Sequence, residues 1–131
     1  MHATHKNEST WPNLLRIAEG EVRAVLQGLP APLRARAREV PVIYQPCPTA
    51  AQQADGIDAD LMGLFVGLPF PEMDSGAFDL PAEIFLFLDN ICDEAEGGMD
   101  VYRDEVRKTY LHELGHYLGL GEDDLVERGL E

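Results

Sequence analysis

The sequence predicts an α+β domain built around one small sheet. Three observations carry that prediction: a helix-periodic apolar pattern near the start, three short apolar runs bounded by glycine, proline or other turn residues, and a long helical stretch over about 100–118 stopped by Gly119 and Gly121. With 131 residues, 45% of them hydrophobic, the chain has the size of one domain with one buried core. It divides into a flexible leader, residues 1–10, and a single domain, residues 11–131.

The leader is polar, and its His2 and His5 read as part of a tail rather than as a metal site. In STWPNLLRIAEGEVRAVLQGLP, Ser9 or Thr10 can cap a helix, Pro12 suits its first turn, and Leu14, Ile17, Ala18, Val22, Val25 and Leu26 recur at helical spacing. Gly28 and Pro30 end it. APLRARAREV follows as a short helical turn or loop, and Val40, Val42, Ile43 and Tyr44 predict the first strand. CPTAAQQADGIDAD has no usable periodicity and reads as a long surface connection.

LMGLFVGLPF is a short apolar run with the signature of a buried strand, and PEMDSGAFDLP is a loop. The continuous run Ile84, Phe85, Leu86, Phe87 and Leu88 predicts a strand covered on both faces. DEAEGG turns the chain into the long helix, and EDDLVERGL closes it as a short terminal helix. The predicted order is therefore helix, three strands, two helices, with no internal repeat.

Charge narrows the range of partners. The net charge is -14, with four acids and six Lys/Arg in residues 1–54 against 20 acids and four Lys/Arg in residues 55–131. Phosphate backbones and anionic lipid would be repelled, so nucleic acid and membrane surfaces are excluded as expected partners, and metal ions or basic peptides are favoured. Cys47 and Cys92 form no CxxC pair, so they predict buried thiols rather than a disulfide framework or zinc ribbon. No apolar run approaches the roughly 18 residues of a membrane span, and the N-terminus has no signal-peptide core, which leaves the cytoplasm as the expected location.

The chemistry concentrates in HELGHYLGLGE, residues 112–122. On a helix, His112 and His116 lie about 40° apart around the axis and about 6 Å apart along it, so both imidazoles can meet one metal ion. Glu113 projects about 100° from His112 on the flank of that face, where it can hold water near the ion without ligating it. Tyr110, Leu111, Leu114 and Leu118 cluster on the opposite side, which separates a core face from a histidine face. Tyr110 and Tyr117 point towards the core and read as packing residues.

A catalytic Zn2+ takes three protein ligands and keeps one open position. On an unbroken helix, residue 122 would stand about 15 Å from His112, out of reach of a shared ion. A left-handed Gly119 turns the chain back, Gly121 adds freedom, and Glu122 can then swing its carboxylate to the metal. Asp123 and Asp124 are neighbours, and either can serve as ligand or as acceptor for a histidine N–H.

HELGHYLGLGE resembles the HExxHxxGxxD/E signature of the minimal zincins, small bacterial proteins assigned as zinc metallopeptidases. The similarity extends to an N-terminal amphipathic helix, a GLFVGLP stretch and an apolar strand before the HExxH helix, here Trp11 to Leu29, Gly63 to Pro69, Ile84 to Leu88 and Asp100 to Leu118. The resemblance implies a minimal zincin-like fold, with a three- to four-stranded sheet packed on the N-terminal helix and the HExxH helix. It implies Zn2+ held by His112, His116 and Glu122, and Glu113 as catalytic acid/base. The third ligand in the family is often aspartate, which keeps Asp123 as an alternative.

Two functions follow. One is hydrolysis of peptide or unfolded protein substrates; the alternative is a zinc-binding interaction module without turnover. In zincins at large, the strand preceding the metal helix lies along the cleft and pairs with extended substrate, which points to Glu83 to Leu88 for that part.

Overall fold

Strand pairing sets the architecture of the chain, whose computed structural model describes residues 9–67 and 81–120. Strands β1 (Val42–Gln45), β2 (Gly63–Val66) and β3 (Glu83–Phe87) form one sheet in the order β1-β3-β2. β1 runs parallel to β3, with Val42 opposite Ile84, and β2 runs antiparallel to it, with Gly63 opposite Leu86. His2, His5, Glu122, Asp123, Asp124, the terminal helix EDDLVERGL and nearly all of the loop PEMDSGAFDLP lie outside the described residues.

The central position of β3 accounts for its unbroken apolar run. Ile84 and Leu86 on one face and Phe87 on the other are fully buried, while the half-buried Phe85 stacks on Phe87 with ring centroids 6.3 Å apart. Both edges of β3 are occupied, so the strand expected to pair with substrate cannot do so. β2 is also not the buried strand its sequence suggests: it lies at the sheet edge, with Gly63 buried, Leu64 and Phe65 half-buried and Val66 38% exposed.

Five helices accompany the sheet among the described residues. α1 (Trp11–Gly28) has Pro12 in its first turn and buries Leu14, Ile17, Ala18 and Val22, as its spacing predicts. Thr10 is its N-cap by position, although its side chain makes no capping hydrogen bond. α2 (Ala31–Ala37) is a true helix rather than a turn, tied to the end of α1 by the Arg34 guanidinium, which donates to the carbonyls of Leu26 and Leu29. α3 (Ala50–Ala54) interrupts the expected surface connection. It is nucleated by a capping box in which the Gln52 N–H donates to the Thr49 hydroxyl and the Thr49 N–H to the Gln52 side chain.

α4 (Leu88–Glu94) is absent from the sequence-based order. β3 passes into it at Phe87 without a loop, and no turn residue separates the two apolar patterns. Its Leu88, Ile91 and Cys92 are buried, as expected of the Cys92 thiol, whereas Cys47 is exposed.

α5 (Met99–Leu118) packs on β2 and β3, and α1 packs on α5. The Tyr102 hydroxyl donates to the Leu14 carbonyl at 2.8 Å, a buried hydrogen bond that fixes the two helices together. Leu14, Ile84, Leu86, Ile91, Val106 and Leu114 fill the common core at 1% exposure or less. Each contributes about 1.5–3 kcal/mol by leaving water.

Candidate metal centre

The second half of α5 is enclosed on almost every side. From Thr109 to Leu118 every residue is buried except His112 and His116, which are exposed. The two exposed imidazoles lie one turn apart on the same face. Their Nε2 atoms stand 3.3 Å apart and their rings meet at 82°.

That separation passes a geometric test for zinc. Two nitrogens at tetrahedral positions about 2.0–2.1 Å from one ion are about 3.3–3.4 Å apart. An N–H···N hydrogen bond between neutral rings also has this length, so the spacing suits the protein with or without the ion. Among the described residues no group of three His, Cys, Asp or Glu side chains comes together at a metal-binding distance. Glu122 and Asp123, between which the third ligand was left open, are outside that set.

Glu113 differs from its neighbours. It is one of only two polar side chains in the buried set among the described residues, at 9% exposure. Burial pushes its carboxyl pKa above the usual carboxylate range, against the opposing pull of His112, His116 and the Phe65 backbone N–H. Its side chain lies between α5 and the start of β2. A Cβ placed on Gly63 would come within 3.2 Å of Glu113 Cγ and 2.5 Å of Thr109 Cγ2. The close approach of strand to helix therefore depends on Gly63 having no side chain.

The helix ends as the glycine spacing predicts. Gly119 adopts the left-handed conformation, φ 72° and ψ 25°, and the Leu120 N–H reaches back to the Gly115 carbonyl at 2.8 Å. The chain thus turns sharply one residue past Leu118. Tyr110 and Tyr117, at 1% and 2% exposure, are core residues. The Tyr117 ring rests 6.0 Å from that of Phe65, and the Tyr110 hydroxyl is buried without a partner among the described residues.

A cleft of about 340 Å³ opens beside His112, lined by Leu61, Met62, Gly63, Lys108 and Thr109 as well as His112 and Glu113. A larger one of about 500 Å³, bounded by Asp60, Asn90, Asp93, Glu94 and Glu96, adjoins it at Leu61 and Met62 but is lined by no histidine. The structure brings His112, His116 and Glu113 together on one stretch of α5, as helical spacing predicts, and sets beside them Gly63 and the cleft, which sequence reasoning missed. The glycine in LMGLFVGLPF was the available signal, since an isolated glycine inside a strand marks a close approach.

A helix carrying two exposed imidazoles around a buried glutamate, laid against a small mixed sheet, is the arrangement of the zincin class. The family model described as zincin-like metallopeptidase matches residues 37–130, and the chain belongs to that family. The match begins after α1, which nevertheless supplies one wall of the α5 core. Comparison with curated proteins gave no match.

Proposed function

We propose that this protein hydrolyses peptide bonds in extended or unfolded polypeptides, using Zn2+ held by His112, His116 and Glu122. Asp123 is the alternative third ligand. The observation that carries the reading is the pair of Nε2 atoms 3.3 Å apart on the otherwise buried second half of α5, with the buried Glu113 beside them. When bound, the ion supplies a Lewis acid that polarises the substrate carbonyl and makes water nucleophilic at neutral pH.

The chain's own groups do the rest. Glu113 accepts a proton from the attacking water and passes it to the departing amine. A buried carboxyl with a raised pKa suits both halves of that transfer, because it can hold the proton between the two steps. Extended substrate lies along β2, whose outer edge is free of strand partners among the described residues. Backbone pairing at such an edge gives affinity with little side-chain selection, and the adjoining 340 Å³ cleft is available to one substrate side chain. The unpaired cysteines suit a reducing compartment such as the cytoplasm.

The test is cleavage of a broad peptide library by zinc-loaded protein and by Glu113→Gln. Cleavage by the parent, reduced about 10²–10⁴-fold in a variant that keeps its zinc, is expected. Full zinc occupancy with no cleavage in either protein would leave a metal-binding module without turnover.

A further inference from the structure

We propose that strand β2 positions Glu113: the Phe65 N–H on the edge of the strand away from β3 holds its carboxylate, and the bare α-carbon of Gly63 makes the room for it. The inference deepens the reading of Glu113 as general base and rests on it for its catalytic meaning.

The strand register decides which groups face outward. Phe87 N–H donates to the Met62 carbonyl at 2.9 Å, and Leu64 stands opposite Phe85. Hydrogen-bonded pairs in an antiparallel ladder alternate, so the even-numbered residues of β2 bond to β3, and Gly63 and Phe65 aim N–H and C=O away from it. β3 obeys the same parity on its other side, where Ile84 N–H donates to the Pro41 carbonyl at 3.0 Å. Phe65 therefore presents a backbone donor that the sheet does not use.

The strand's faces decide what meets that donor. Gly63 and Phe65 share one face, two residues apart, and that face rests on α5. Thr109, Glu113 and Tyr117 follow each other at four-residue spacing and form one row of the helix. Gly63 lies over Thr109 and Glu113, and Phe65 lies over Tyr117. Glu113 sits between these two contacts. A Cβ on Gly63 would stand 3.5 Å from Glu113 Oε2, so the carboxylate lies close against this face of the strand.

A carboxylate buried to this extent gains from a donor, since an unpartnered buried charge is costly. The Phe65 backbone N–H is hydrogen-bonded to it. Given room by Gly63 and held at its oxygen by Phe65, Glu113 loses rotational freedom before any substrate arrives. The carbonyls of Gly63 and Phe65 remain on the same edge to receive substrate N–H groups. Base and substrate are thus aligned by one piece of backbone.

The test is amide hydrogen exchange followed by NMR on the purified protein and on Glu113→Ala. The Phe65 amide has no ladder partner among the described residues, so its exchange is predicted to speed up about tenfold or more in the variant, the change expected from losing a charge-assisted hydrogen bond, while Leu64 is unaffected. Equal Phe65 exchange in the two proteins overturns the proposal. Replacing the Phe65 amide by an ester removes the N–H and keeps the side chain. Zinc content and KM are predicted to hold while kcat falls, whereas an unchanged kcat would show that the bond does not position the base. If the parent cleaves nothing, the peptidase reading fails on its own, and the exchange comparison still decides whether β2 holds Glu113.

Discussion

Glu113 is the residue at which environment and charge conflict most. Burial favours its protonated form, so its folded pKa stands above the unfolded value of 4.5. The ionised side chain therefore costs stability at pH values above the folded pKa and costs nothing once pH falls below the unfolded one. In metal-free protein Glu113→Gln is predicted to melt at a higher temperature than the parent at pH 7, with the difference closing towards pH 4. Thermal unfolding across that range in the presence of chelator measures it. Gly63 supplies a second residue-scale prediction: Gly63→Ala drives a methyl into Thr109 and Glu113 and is expected to cost about 1–3 kcal/mol in denaturant unfolding, part of it recovered by Thr109→Ser. The two histidines and Glu113 were legible in the sequence because their relation is helical spacing, which is local. Gly63 was not, because which strand residue touches which helix row is decided by tertiary packing.

At the scale of elements, α5 shows how one helix serves core and chemistry together. Its faces were readable from residue identity, and the burial of Tyr110, Leu111, Leu114 and Leu118 follows that reading. Its end was readable too, since Gly119 takes the left-handed turn. Gly119→Ala is predicted to destabilise the protein by about 1 kcal/mol and, with the proposed third ligand following three or four residues after this turn, to weaken zinc binding; zinc titration with a competing chelator tests this. Other elements escaped for physical reasons. α3 buries nothing, so it has no apolar period, and only its Thr49 and Gln52 box announces it. α4 follows β3 without a break, so one apolar run contains two elements. Strand order is likewise invisible locally, which is why the strand expected to receive substrate proved to be central and β2 took the edge.

At the scale of the whole molecule, the proposed zinc site would couple metal to fold. α5 carries both imidazoles and also joins α1, β2 and β3, so a metal bound there would be linked to global stability. Zinc at 100 times its Kd would raise stability by about 2.7 kcal/mol, and chelation is predicted to lower Tm reversibly by the matching amount. The strongly acidic half of the chain favours cation capture at low salt, an effect that added salt weakens. All of this rests on the His112 and His116 pair being a zinc site. Elemental analysis of purified parent, His112→Ala, His116→Ala and Glu113→Gln is the most direct test. The account predicts one zinc per chain in the parent and in Glu113→Gln, and loss of zinc in both histidine variants; a parent without zinc, or full zinc in either histidine variant, would contradict it.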